Sequence, residues 1–183
     1  RRLGPYAKIP VLEPATSQEC KDFVRVGIEL SERFRTPVML RTTTRTSHSK
    51  GLVELGERTE KTESLALIRE PRYSLLPGLT RTRHQELEER MEGIRVWAHE
   101  TDINRIEMGD AEVGIVACGA AYQYAREAFP QASFLKVGMS YPLPEKLVRD
   151  FRAKVRHLYV VEELDPFLEE QIRLMGVQVD GGA

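Results

Sequence analysis

The residues of this chain that are best suited to chemistry form one unbroken polar run, from Arg41 to Lys50. All ten side chains of the run are hydroxyl, cationic or imidazole groups, and Gly51 follows them. Such groups enter a core only where each finds a partner, and they are donors suited to carboxylates and phosphates. The run follows a strand predicted over 37–40, and open α/β sheets bind ligands at the carboxyl ends of their strands. The pattern fits two interpretations equally well: a solvated loop, or one side of a cleft that contacts a ligand or a subunit.

Six side chains of the run are candidate contacts for a substrate or another anion: Arg41, Thr43, Arg45, Ser47, His48 and Lys50. The histidine lies inside the polar run, but no carboxylate is near it in sequence to orient it as a general base. The neighbouring hydroxyls lack the Gly-x-Ser-x-Gly elbow that would mark a nucleophile. We therefore expect contact with an anion and predict no catalytic residue.

Three other stretches follow predicted strands. The turn at 117–121 has a single glycine, which favours a tight turn over a phosphate site. The loop at 136–144 contains two prolines, which fix its path. Glu162 and Glu163 could perform acid–base chemistry, but no nucleophile is recognisable beside them, and Asp165 is predicted to cap the next helix. A structural or subunit-contact role is the better interpretation of this stretch.

Composition excludes several classes of function. The chain has 27 basic and 28 acidic residues, so it lacks the basic excess that nucleic-acid binding uses. No apolar run is long enough to span a membrane. Cys20 and Cys118 each lie in an apolar pattern, which predicts free buried thiols and a cytoplasmic protein. No Cys-x-x-Cys motif is present, and no metal site is predicted.

The first third reads as a single αβ unit. Thr16 and Glu19 have the spacing of a capping box, and apolar residues recur at helical spacing until Pro37. A strand follows, from 37 to 40. So small a sheet cannot bury both of its faces. We therefore expect this unit to be the tail of a larger α/β domain, and the chain to be an internal fragment of a longer protein.

The rest of the chain divides into two parts. A long connector, with one helix over 82–98, leads to a regular pattern of strands and helices from residue 111. The alternation predicts a small parallel-sheet, three-layer α/β domain. Its predicted strands are 113–117, 132–137, 157–161 and 177–179.

Several stretches together carry a family resemblance. They are the polar run at 41–51, Ala121-Tyr122-Gln123-Tyr124-Ala125-Arg126-Glu127, the stretch 135–144, and Tyr159-Val160-Val161-Glu162-Glu163-Leu164-Asp165-Pro166-Phe167. In this order they resemble the alpha subunits of indolepyruvate ferredoxin oxidoreductases, which are thiamine-diphosphate-dependent 2-oxoacid:ferredoxin oxidoreductases. The resemblance covers most of the chain and is weakest over 59–95.

The resemblance implies an oxidative decarboxylation of arylpyruvates, with coenzyme A and ferredoxin, to acyl-coenzyme A and carbon dioxide. It implies thiamine diphosphate, magnesium and [4Fe-4S] clusters in the parent enzyme, with a beta subunit and ferredoxin as partners in a homo- or hetero-oligomer. It also implies three parts: the C-terminal part of a pyrimidine-type domain (1–55), a connector (56–110) and a transketolase C-terminal-like domain (111–183).

The chain departs from the family pattern in its cofactor motifs. The activating glutamate is expected before Arg1, and the Gly-Asp-Gly motif is expected after Ala183. We therefore expect no cofactor to be bound by recognisable residues of this chain, and the chain alone to be inactive. The alternative is that the chain serves as a non-catalytic scaffold or subunit-interaction domain of a thiamine-dependent enzyme.

Overall fold

The computed structural model describes residues 1–58 and 76–181. The helices are α1 (Leu3–Ala7), α2 (Ser17–Phe34), α3 (Thr44–His48), α4 (Pro77–Glu100), α5 (Gly119–Ala128), α6 (Glu145–Arg152) and α7 (Phe167–Leu174). The strands are β1 (Val11–Leu12), β2 (Met39–Leu40), β3 (Arg105–Glu107), β4 (Asp110–Cys118), β5 (Ala132–Val137), β6 (Met139–Tyr141) and β7 (His157–Val161). No helix among the described residues is long and apolar enough to cross a membrane.

A four-stranded sheet in the order β3-β5-β4-β7 organises the second half of the chain. Strands β4, β5 and β7 are mutually parallel, as predicted. Helix α5 packs on one face through Tyr122 and Ala125, and α6 and α7 pack on the other face through Phe151, Phe167 and Ile172. The predicted three-layer α/β architecture is confirmed.

The sheet departs from the prediction at one edge. The residues 177–179, predicted as a fourth parallel strand, do not form a strand. The Val177 N–H donates instead to the Ile172 carbonyl of α7, and the Gln178 carbonyl accepts a hydrogen bond from the Arg152 side chain. Asp180 then binds the backbone of Leu158 through its own N–H and its carboxylate. The fourth strand is instead β3, which pairs antiparallel to β5 at the opposite edge.

A second, three-stranded sheet joins distant parts of the sequence. In the order β2-β1-β6, β1 pairs parallel with β2 and antiparallel with β6. The adjacent core contains residues from α2, α4 and β6, with Phe23, Leu30, Met91, Ile94 and Met139 fully or almost fully buried. The first αβ unit thus packs on residues far along the chain.

Thr16 caps α2 as predicted, but the carboxylate of Glu19 reaches the residue before the cap rather than Thr16 itself. Thr16 accepts a hydrogen bond from the backbone N–H of Glu19 at 3.1 Å, and the Glu19 carboxylate accepts one from the Ala15 N–H at 2.8 Å. The helix predicted over 82–98 is longer and begins at Pro77, a residue type favoured in the first turn. The connector residues 59–75 lie outside the described residues.

The predicted cap of the last helix is wrong. Asp165 does not cap α7; instead the Glu162 carboxylate accepts hydrogen bonds from the N–H groups of Leu168 and Glu169, at 3.0 and 3.2 Å. The intervening turn, with Leu164 at φ +66°, brings that carboxylate back over the start of the helix. The Asp165 side chain is exposed and lies 3.7 Å from Arg2.

Candidate functional site

Arg41 begins the polar run and is positioned by the end of β2. Its Nη1 donates to Oε2 of Glu13 at 2.5 Å, and Glu13 follows β1 directly. Because β1 and β2 are parallel neighbours, their carboxyl ends bring these two residues together. The Arg41 side chain is only 20% exposed and the Glu13 side chain 1%. This arginine is therefore neutralised by a buried carboxylate.

Glu13 belongs to a larger buried cluster. Arg1 donates from Nε to both oxygens of Glu13, at 2.8 and 3.1 Å, and from Nη1 to Glu162 at 2.6 Å. The Cys118 thiol lies 3.7 Å from Glu13. Four strand ends, those of β1, β2, β4 and β7, thus contribute to one cluster. Two arginines and two glutamates balance its charge, so the cluster retains no net charge with which to attract a ligand.

Burial raises the pKa of two members of this cluster. It raises the pKa of the Cys118 thiol well above its ordinary value. It also raises the pKa of Glu162, although the N–H groups of Leu168 and Glu169 and the Arg1 guanidinium oppose it. A thiol with a raised pKa is a poor nucleophile. The cluster is therefore suited to holding strands together rather than to covalent catalysis.

Arg45 lies elsewhere, on the outer side of α3. Its Nη1 donates to the Tyr124 hydroxyl at 3.1 Å, and its Cζ lies 5.3 Å from the centre of the Tyr124 ring. Tyr124 projects from α5, and α3 packs beside that helix. The two arginines of the polar run therefore have different environments: Arg41 contacts the buried cluster, and Arg45 lies on the surface.

The other candidate residues are spread along the short helix α3. Thr43 precedes it, and its hydroxyl lies 3.4 Å from that of Thr46, which is buried. The Ser47 hydroxyl donates to Thr42 at 2.9 Å. His48 and Lys50 are exposed. Residues Thr44–His48 of the run are thus helical, and its members differ in how far they are exposed.

A cavity of about 270 Å³ lies beside the buried cluster, lined in part by Arg1, Arg2 and Arg41. Glu163 and Asp165 lie on the same wall. Since Glu13 already neutralises Arg41, the cavity has no uncommitted excess of positive charge. The exposed part of the run is the better place for an anion.

Sequence reasoning missed three residues that determine this arrangement. Glu13 and Arg1 lie in short segments that give no periodic signal, and Tyr124 is separated from Arg45 by 79 positions. The position of Glu13 directly after β1 was the available clue, because ligand-facing and cluster-forming side chains collect at strand ends.

Comparison with known proteins gives a consistent result. The chain is 39% identical to indolepyruvate oxidoreductase subunit IorA of Archaeoglobus fulgidus over 183 aligned residues, which include 97% of the chain. The IorA proteins of Methanothermobacter thermautotrophicus and Pyrococcus abyssi are 37% and 38% identical over 94% and 95% of the chain. Over the region it spans, the chain is similar to the IorA proteins along almost its whole length. It spans 29% of the length of each of these relatives. No protein-family model matches the chain.

A solved structure extends the fold comparison. The 2-oxoglutarate:ferredoxin oxidoreductase from Magnetococcus marinus superposes with a TM-score of 0.63, covering 95% of this chain and 38% of that one. At 12% identity, this likeness shows the fold that the IorA family shares with that enzyme and nothing about its ligands. The fold of this solved structure therefore agrees with the fold that the resemblance in sequence motifs implies.

Proposed function

We propose that this chain is part of an enzyme that oxidatively decarboxylates arylpyruvates, such as indolepyruvate, with coenzyme A and ferredoxin, yielding acyl-coenzyme A and carbon dioxide. The observation that carries the proposal is the match to IorA proteins over almost the whole chain, at 37–39% identity in three organisms. The proposal assigns residues 1–55 to the end of a pyrimidine-type domain, 56–110 to a connector and 111–183 to a transketolase C-terminal-like domain.

The cofactors proposed for the parent enzyme are thiamine diphosphate, magnesium and [4Fe-4S] clusters. The described residues do not fit their binding. Activation of the thiamine ring requires an accessible carboxylate, but both oxygens of the buried Glu13 accept hydrogen bonds from Arg1 and Arg41. Among residues 1–58 and 76–181, no three His, Cys, Asp or Glu side chains are grouped as metal ligands. We therefore assign cofactor binding to other parts of the cytoplasmic parent enzyme or to its beta subunit.

Within this enzyme, the polar run 41–50 would hold an anionic group of the substrate or of coenzyme A. Arginine binds carboxylate and phosphate through paired N–H groups, and the adjacent hydroxyls can add further donors. The exposed members Arg45, His48 and Lys50 are the ones positioned to do so. Arg41 supports them by fixing the start of the run to Glu13.

The test uses the full-length protein assembled with its partner subunit. Ferredoxin reduction is measured with indolepyruvate, phenylpyruvate, pyruvate and 2-oxoglutarate, each with coenzyme A. Arylpyruvates should have the highest kcat/KM; a preference for pyruvate or 2-oxoglutarate would contradict the proposed substrate. Replacing Arg45 by alanine should raise KM for the 2-oxoacid or for coenzyme A. Loss of subunit assembly with unchanged KM values would instead support the scaffold function.

A further inference from the structure

The two arginines of the polar run differ in what remains free to bind. The charge of Arg41 is already paired with the buried carboxylate of Glu13. Arg45, by contrast, is exposed, and no carboxylate of residues 1–58 or 76–181 lies within ion-pair distance of it. A cation without a carboxylate partner binds an external anion at a lower free-energy cost, because no existing ion pair must first be broken. Arg45 is therefore the stronger anion ligand of the two.

Tyr124 restrains this guanidinium in two ways. The hydroxyl accepts a hydrogen bond from Nη1 at 3.1 Å, while the aromatic ring lies beneath Cζ at 5.3 Å. Together these two contacts restrain the guanidinium group against the tyrosine side chain. Among the described residues only Nη1 has a hydrogen-bond partner, so Nε and Nη2 are the donors that could bind a planar, bidentate acceptor such as a carboxylate or a phosphate.

Tyr124 lies on α5, a helix that packs on the sheet. Its neighbours on α5, Tyr122 and Ala125, are buried in the core against the sheet, whereas Tyr124 itself is 49% exposed. On the other side, α3 is anchored by the buried Thr46. The pair therefore links two anchored helices, and a flexible arginine gains a defined orientation at the surface.

We propose that Tyr124 is a positioning residue that preorganises Arg45 to bind a carboxylate or phosphate group. The inference rests on the proposed function, because it assigns the anion contact of the polar run to one residue and names the group that orients it. A free arginine loses side-chain entropy when it binds. The restraint by Tyr124 removes part of that loss before the ligand arrives.

The expected effects follow from the two contacts. Tyr124→Leu removes both the ring and the hydroxyl and should weaken anion binding roughly three- to tenfold. Tyr124→Phe keeps the ring and should weaken binding about twofold. Arg45→Lys keeps the positive charge but removes the planar set of guanidinium N–H donors. It should therefore reduce the affinity for the anion more than Tyr124→Phe does. Tyr6→Leu is the matched control, because Tyr6 is also an exposed tyrosine on a helix.

The experiment measures the dissociation constants of phenylpyruvate and of inorganic pyrophosphate for the full-length protein by calorimetry at fixed ionic strength. The Arg45 Nε–Hε resonance provides a second readout, since it should sharpen with the tyrosine present and broaden in Tyr124→Leu. Thermal unfolding of each variant excludes a loss caused by misfolding.

The outcomes separate the two proposals. If Arg45→Ala abolishes binding while Tyr124→Leu and Tyr124→Phe bind as the wild type does, the positioning role is overturned and the anion site stands. If the wild type binds neither probe, both the anion site and the positioning role are overturned. A loss of anion affinity that increases from Tyr124→Phe to Tyr124→Leu to Arg45→Ala supports the inference.

Discussion

Arg41 donates to Glu13 at 2.5 Å, and this pair fastens the start of the polar run to a buried carboxylate that also holds Arg1. Glu13 thus connects the end of β1 with the end of β2, and Arg1 extends the connection to Glu162, which follows β7. The cluster therefore joins the small sheet to the four-stranded one. Glu13 should therefore contribute strongly to the stability of the fold.

Replacing Glu13 by glutamine should lower the free energy of unfolding by about 3–5 kcal/mol, since two guanidinium groups would lose a fully buried counter-charge. Urea denaturation at pH 7 measures this. Glu29→Gln is the control, because Glu29 is an exposed residue of α2 that pairs with the exposed Arg25. This change should cost less than about 1 kcal/mol. Similar losses in both variants would show that burial of the cluster contributes little.

Lys136 of β5 and Glu19 of α2 form a second ion pair, which is largely buried. Lys136 is fully buried, and its ammonium lies 5.3 Å from the ring of Phe23 and 5.9 Å from that of Tyr122. Burial lowers the pKa of Lys136, and the charge of Glu19 opposes that effect. Glu19, with a smaller contribution from Glu107, therefore favours the charged form of the lysine against the effect of burial.

A double-mutant cycle tests the coupling between Lys136 and Glu19. Lys136→Met alone should cost about 2–4 kcal/mol, because it leaves Glu19 with the more distant Arg105. Glu19→Gln preserves the helix-capping acceptor while removing the charge. The double variant should be more stable than the sum of the single effects predicts, by at least about 1 kcal/mol. Strict additivity, from urea unfolding of all four proteins, would contradict the coupling.

The parts of the fold that the sequence predicts well are those with local signals. The helix cap at Thr16 and the alternation of apolar strands with helices depend on neighbouring residues, and both were predicted. Strand β3 was missed because its three residues are stabilised by pairing with β5, not by their own pattern. The segment predicted as a strand at 177–179 has apolar residues but does not form a ladder of backbone hydrogen bonds with a neighbouring strand.

The candidate site was only partly predictable for the same reason. The polar run identified Arg41 and Arg45 as donors, but nothing local distinguishes them. Their different environments come from Glu13 and Tyr124, which lie 28 and 79 positions away. Whether an arginine is neutralised or available is a tertiary property, so the sequence alone assigned the same role to both.

Gly114 gives a packing prediction. A Cβ placed on this residue of β4 would lie 2.6 Å from a methyl carbon of Val155. Gly114→Ala should therefore destabilise the protein by about 1–3 kcal/mol through overpacking. Combining it with Val155→Ala should recover part of that loss relative to the two single changes. Thermal unfolding measures the three variants. If the stability losses of the two single changes simply add in the double variant, the contact with Val155 is not the cause of the loss in Gly114→Ala.

Glu162 gives a pH prediction. Because burial raises its pKa, the folded protein binds this proton more tightly than the unfolded chain does. The resulting stabilisation is complete below the ordinary pKa of glutamate, near 4.5, and is lost as the pH rises through the raised value. The stability of the wild type relative to Glu162→Gln should therefore fall between pH 4 and pH 7. Urea unfolding of both proteins across this range measures it, and a rise would contradict it.

Glu107 should show the opposite trend. Burial raises its pKa, but hydrogen bonds from Tyr122 and Arg105, together with the charges of Arg105 and Arg126, outweigh that effect and lower the pKa overall. Its stabilising contribution is therefore present above about pH 4.5 and is lost as the pH falls through the lowered value.

The wild type should accordingly exceed Glu107→Gln in stability at pH 7, and the difference should shrink as the pH falls below 4. Measured at pH 7, the difference should also decrease in 0.5 M salt, because Arg105 and Arg126 are partly exposed and added ions screen their charges. A difference that neither acid nor salt reduces would mean that Glu107 acts through packing, because a packing contribution depends on neither protonation nor screening.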